Sequence, residues 1–165
     1  MMKIFSVVIL SILSLPPCLS SDDFTLYLVR HTEKKAEDKN PSLTHCGKER
    51  AKQLSTLLST ANIKSIYSTS YQRTMSTAGP LSNKQRIPIQ HYSPKQLEQF
   101  SLHLVQRKEN ALIIGHSNTT PQLTQLLIDK KVDPLAEEDY QMLYQVHFVD
   151  SQPFLTKLIQ PHRCN

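Results

Sequence analysis

Apolar residues along the chain gather in short dense runs separated by stretches of helical spacing, a pattern that predicts strands and helices in turn. Phe24 to Val29 is aromatic and β-branched enough for a buried strand, ending at Arg30 and His31. From Thr44, the apolar positions Ala51, Leu54, Leu57, Leu58 and Ala61 recur at helical spacing and predict a first long helix capped by Thr44. Ile63 to Tyr67 predicts a second strand, and Ser68-Thr69-Ser70 leads into a helix that starts near Tyr71 and stops at Gly79-Pro80. Ile87 to His91 predicts a third strand, sent to a sheet edge by Pro88, and Pro94 to Arg107 a further helix. Ala111 to Ile114 predicts a fourth strand, Gly115 to Asn118 a tight turn, and Pro121 the opening of a helix carrying Leu123, Leu126 and Leu127. Leu143 to Val149 and Phe154 to Ile159, separated by Asp150 to Pro153, predict a closing antiparallel hairpin.

The early alternation implies an α/β fold, a three-layer α/β/α sandwich on a mostly parallel sheet with the hairpin added at the end. No internal repeat or low-complexity linker interrupts it, and 165 residues suit one domain. The first segment is different. Met1-Met2-Lys3 followed by the apolar run Ile4 to Leu15 has the cationic head and length of a secretory signal, too short for a spanning helix. Cleavage is expected after Ser20, giving a signal peptide over residues 1–20 and a mature domain over 21–165. The expected location is therefore secreted, periplasmic in a Gram-negative cell, with no stable membrane insertion once the signal is gone.

Export changes how the cysteines are read. Cys18 leaves with the signal, and Cys46 and Cys164 remain as either a disulfide or two thiols. None has the close spacing of a zinc site, so no metal is expected. The charge balance, 19 basic against 14 acidic residues, favours anionic substrates. The basic pairs are scattered without interleaved aromatics, which speaks against a nucleic-acid partner.

Ligands of open α/β sheets bind beyond the carboxyl ends of the strands, and three such ends here carry unusual chemistry. The first delivers Arg30 and His31, the second a Ser-rich turn before Arg73, and the fourth His116. Arginine offers a charged fork matching phosphate oxygens, and a neutral imidazole can attack phosphorus and carry the group covalently. A second histidine, when protonated, adds positive charge where transferring oxygens gather theirs.

Leu28-Val29-Arg30-His31-Thr32-Glu33 resembles the signature of the histidine phosphatase superfamily, the phosphoglycerate-mutase-like group (branch 1). The block Tyr67 to Ala78 resembles that family's second-arginine segment, Ile113 to Asn118 its second-histidine segment, and Leu43-Thr44 with Gly47 the start of its first helix. The resemblance runs from Phe24 to about Phe148. It implies a phosphoglycerate-mutase-like fold, a phosphorylated nucleophile at His31, phosphate held by Arg30 and Arg73, and a pocket completed by His116, with no cofactor. The implied activity is metal-independent phosphomonoester hydrolysis through a phosphohistidine, on a phosphorylated small molecule, glycan or protein. Mutase action fits less well, because a mutase must keep its phosphate from water.

Thr32 stands where many members of the family have glycine. The proton donor is the gap: Glu98 is the only carboxylate between His91 and Phe100, and Glu33 reads as a neighbour of the nucleophile. A rival is a serine hydrolase, since Gly115-His116-Ser117-Asn118-Thr119 nearly spells a nucleophile elbow, with Ser117 attacking and His147 a possible partner. Thr119 breaks that pattern, and the rival leaves Arg30, His31 and Arg73 without a task. A third reading is an anion-binding envelope protein that holds phosphate without turnover.

Overall fold

The computed structural model describes residues 23–36 and 39–161. The signal peptide expected over residues 1–20, Cys18 and Cys164 all lie outside them. Cys46 is disulfide-bonded.

Among the described residues ten elements follow one another: β1 (Phe24–Arg30), α1 (His45–Leu57), β2 (Ser65–Ser68), α2 (Gln72–Gln85), β3 (Ile89–His91), α3 (Leu97–Arg107), β4 (Ala111–Gly115), α4 (Thr119–Ile128), β5 (Met142–Val149) and β6 (Gln152–Ile159). They build one six-stranded sheet in the order β3-β2-β4-β1-β5-β6. The first four strands in that order are parallel, while β5 runs antiparallel to β1 and β6 antiparallel to β5. The expected sandwich is therefore the observed one.

Successive residues of a strand face opposite sides, so each central strand feeds two cores. Leu26, Leu28, Ala111 and Ile113 pack with Phe100 and Leu104 of α3 and with Leu123 and Leu127 of α4. Val29, Leu112 and Ile114 pack on the other face with Leu54 of α1 and with Ala78 and Leu81 of α2. Thr44 caps α1 as expected, its hydroxyl accepting from the Gly47 N–H at 3.0 Å.

Several boundaries differ from the sequence reading, and at four of them the structure shows a local reason. The second helix does not stop at Gly79-Pro80 but continues to Gln85 with Pro80 inside it. Proline within a helix costs about 3 kcal/mol, and burying Leu81 fully returns about 1.5–3 kcal/mol alongside the packing of Ala78. The helix ends where Arg86 turns left-handed, its N–H donating to the Ser82 carbonyl. The next helix begins at Leu97 rather than Pro94, since Gln96 N–H closes a turn on the Ser93 carbonyl first. The fourth begins at Thr119, which puts Pro121 in its first turn, where a missing N–H is harmless. The hairpin turns on Asp150 and Ser151 alone, both with positive φ (50° and 65°), as a two-residue primed turn requires; Gln152 and Pro153 already pair in β6.

Parallel strands joined by helical crossovers end on one edge of the sheet. Register fixes the consequence: Arg30 lies beside Gly115, and Ser68 beside Ile114, so the tips of β1, β4 and β2 stand next to each other.

Candidate active site

His31 leaves the sheet where β1 ends, its backbone N–H still held by the Gly115 carbonyl at 3.0 Å. The residue is 2% exposed. Its Nδ1 lies 2.8 Å from the carbonyl oxygen of Thr32, and because a carbonyl only accepts, Nδ1 carries the proton. The lone pair is thereby placed on Nε2. Burial pushes the ring's pKa down to about 3, opposed by the Thr32 bond and reinforced by the positive charge of Arg30, then Arg73 and His116. His31 is a neutral imidazole of fixed tautomer at every physiological pH.

Arg30 is also buried, with its guanidinium 4.2 Å from the ring centroid of Tyr140. Its Nη1 donates to the carbonyls of Ala136 (3.1 Å) and Glu137 (2.6 Å), and its Nη2 to the Glu137 carboxylate at 3.0 Å. Arg73, in the first turn of α2, repeats the arrangement over Tyr71 at 4.5 Å. Among the described residues, the Nε atoms of both arginines are buried without a hydrogen-bond partner. A buried guanidinium with an unmet donor is short of acceptor oxygens.

His116 follows β4 with its tautomer set in the opposite sense. Arg73 Nη2 approaches Nδ1 at 3.4 Å, and an arginine only donates, so Nδ1 accepts. Nε2 then donates to Thr69 Oγ1 at 3.0 Å, and that hydroxyl donates to Thr74 Oγ1 at 3.0 Å. Thr74 in turn donates to a main-chain carbonyl, of Thr69 or Tyr71, each at 2.9 Å. Burial, then Arg73 and Arg30, lower the His116 pKa to about 4. The ring is therefore neutral in the free protein and not the imidazolium considered from the sequence.

The two imidazoles face each other edge to face, with centroids 5.7 Å apart. Arg30, His31, Arg73 and His116 line a single cleft of about 410 Å³, with Lys34, Lys95 and Glu137 on its walls. All four residues singled out from the sequence thus meet in one place. Among the described residues no cluster of His, Cys, Asp or Glu has the makings of a metal site.

The segment after His31 is tied to both neighbouring helices. Arg50 of α1 grips the Glu33 carboxylate through Nε (2.9 and 3.1 Å) and Nη2 (2.6 Å). Glu33 is therefore committed to an ion pair away from the role of donor. Thr32 N–H donates to Thr77 Oγ1 at 3.1 Å, and Thr77 donates to the Arg73 carbonyl at 2.8 Å, coupling the loop after His31 to the helix that carries Arg73. Glu98 lines a separate groove of about 620 Å³ between α3 and α4 and does not reach the cleft.

The hydrolase rival loses its geometry. Ser117 does line the cleft, yet His147 bonds Thr25 at 2.8 Å near the start of β1. Five residues of strand, about 16 Å, separate Thr25 from Arg30.

Sequence reasoning missed Tyr71, Tyr140, Thr69, Thr77 and Glu137. The first four act on groups already identified, and Tyr71, Thr69 and Thr77 lie inside the second-arginine block. Tyr140 and Glu137 sit between α4 and β5, in a stretch without hydrophobic period, and offered no signal.

The sequence profile of the histidine phosphatase superfamily (branch 1) matches residues 26–94, which bears out the resemblance over the Arg30-His31 and Arg73 blocks; the block Ile113 to Asn118 lies beyond the match. Among solved structures, the protein histidine phosphatase SixA complexed with tungstate is similar at a TM-score of 0.68 and 11% identity, covering 82% of this chain and 96% of that one. The alpha-ribazole phosphatase from Shigella flexneri aligns at 0.66 and 16%, over 86% and 100% of the two chains. A phosphoserine phosphatase from Entamoeba histolytica, in complex with 3-phosphoglyceric acid, aligns at 0.61 and 13%, over 85% and 98%. These likenesses establish the phosphoglycerate-mutase-like fold. No curated protein is significantly similar in sequence.

Proposed function

We propose that this chain is a phosphomonoester hydrolase working through a phosphohistidine at His31, without a metal. The observation that carries the reading is the pairing of a neutral, buried His31, its lone pair held on Nε2, with two arginines whose donors are not all satisfied. In the proposed reaction Nε2 attacks phosphorus in line with the ester oxygen, Arg30 and Arg73 hold the remaining phosphoryl oxygens, and the ester bond breaks. Water then attacks the phosphohistidine, the P–N bond breaks, and its electron pair returns to Nε2.

His116 donates to Thr69 in the free state. When a phosphate dianion enters, its charge opposes that of the two arginines, which favours a second proton on His116 and a further donor to the phosphoryl group. Cationic Lys34 and Lys95 beside the cleft suit an anionic substrate. That the structural neighbours are phosphatases of proteins and small molecules supports the general activity. The leader-like segment at residues 1–20 supports an exported enzyme acting on phosphorylated compounds outside the cytoplasm.

The test is steady-state hydrolysis of a panel of phosphomonoesters by the chain lacking residues 1–20. His31→Gln is expected to abolish turnover, and Arg73→Ala to lower kcat by about 10²–10³-fold, as loss of a charged transition-state donor does. Turnover that survives in His31→Gln contradicts the proposal, and phosphate binding with no hydrolysis of any ester favours the anion-binding alternative.

A further inference from the structure

Hydrolysis of an ester with a poor leaving group needs an acid beside the departing oxygen, and neither carboxylate suggested by the sequence is available: Glu33 is gripped by Arg50, and Glu98 faces another groove. Among the described residues, Glu137 is the one carboxylate that lines the cleft with His31, His116 and both arginines. Its main chain is anchored, since Arg30 Nη1 donates to its carbonyl at 2.6 Å, whereas its side chain is 70% exposed and has room to turn.

Its carboxylate rests on Arg30 Nη2 at 3.0 Å, on the guanidinium fork that a phosphoryl oxygen is proposed to take. A substrate that takes the fork displaces the carboxylate by one hydrogen bond, while the anchored backbone keeps it at the rim of the phosphoryl site. There it meets a dianion, and two like charges side by side favour a proton between them.

We infer that Glu137 is the acid that protonates the leaving oxygen, a role that rests on the phosphatase reading above. His31 Nε2 forms the N–P bond as the P–O ester bond breaks. The electron pair of that bond stays on oxygen, which takes the Glu137 carboxyl proton and departs as the alcohol. In the second half the Glu137 carboxylate accepts a proton from the attacking water, the new O–P bond forms, the P–N bond breaks, and Nε2 regains its pair. The acid is thus restored at the end of each cycle.

A donor leaves a signature that a structural residue does not, because its loss scales with the basicity of the leaving group. The experiment compares kcat/KM of the parent chain and of Glu137→Gln for glycerol phosphate, an alkyl ester, and 4-nitrophenyl phosphate, whose phenolate leaves unaided. The amide introduced by Glu137→Gln keeps an oxygen for Arg30, and Glu137→Ala serves as a second variant. The expected result is a loss of about 10²-fold or more with the alkyl ester and less than about 5-fold with the aryl ester in both variants. Equal losses on both esters, or no loss on either, overturn the assignment. A gain on both also overturns it and makes Glu137 a competitor for Arg30. The phosphatase reading is tested separately by His31→Gln with 4-nitrophenyl phosphate: activity surviving there sinks the underlying mechanism, whereas activity lost there together with an unselective Glu137→Gln sinks the donor alone.

Discussion

Gly47 sits in the first turn of α1, and replacing it with alanine sets two opposite effects against each other. Helix propensity favours alanine over glycine by about 1 kcal/mol, so on local grounds the variant is the more stable one. The fold says otherwise. A Cβ at this position falls inside the contact distance of the Glu33 carbonyl oxygen and lies 3.0 Å and 3.1 Å from the Glu33 nitrogen and carbonyl carbon. All three are backbone atoms, so no side chain is able to swing aside. That carbonyl oxygen also accepts the Thr44 N–H at 2.9 Å, and Gly47 N–H closes the Thr44 cap. Parting the two segments strains packing by about 1–3 kcal/mol, and the weakened cap and hydrogen bond cost about 1 kcal/mol each. After the propensity gain is subtracted, the net destabilisation is about 2–4 kcal/mol. Glu33 lies two residues beyond His31, the proposed nucleophile, so a displacement of about 1 Å there is expected to lower kcat/KM by about 10²-fold. Urea unfolding of Gly47→Ala, followed by kinetics on the folded protein, measures both. A variant as stable and as active as the parent refutes the claim that this close approach positions His31.

Thr77→Val preserves shape but removes the hydroxyl that accepts from the buried Thr32 N–H, and a stability loss of about 1–3 kcal/mol in denaturant titration is expected, with a fall in kcat. Tyr71→Leu removes the aromatic face beneath Arg73, a contact of about 0.5–2 kcal/mol, and is expected to raise KM for phosphomonoesters by about 3–10-fold with a smaller change in kcat, read from initial rates. Stability should depend on pH through both site histidines, whose folded pKa values of about 3 and about 4 lie below the usual 6.5. The unfolded chain binds protons first, so their neutral burial is free of penalty above pH 6.5, and stability falls as pH drops from 6.5 towards 4 and below. Thermal or urea unfolding across that range checks the slope, which His116→Gln should flatten.

The fold was legible in the sequence wherever local signals agreed with packing. Phe24 to Val29 and Ala111 to Ile114 are apolar because both faces of their strands are covered, and such runs admit few alternatives. The stop expected at Gly79-Pro80 failed because proline's cost is local while the burial of Leu81 is tertiary, and a chain alone displays only the former. Arg30, His31, Arg73 and His116 were found because strand ends announce them. The tyrosines under the two arginines, and Glu137 across the cleft, were not. Tyr140 and Glu137 come to Arg30 by the path of an irregular segment more than 100 residues further along the chain, and irregular segments carry no period from which a destination can be inferred.

In the proposed mechanism one imidazole, at position 31, carries phosphate between two displacements. Mixing the protein with a phosphomonoester, quenching in alkali, which preserves phosphoramidate linkages, and mapping the added phosphate by mass spectrometry asks this directly. Phosphate is expected on His31 within the first turnover and none in His31→Gln. Phosphate found on Ser117 or on another residue, or turnover of the ester without any phosphorylated histidine, contradicts it.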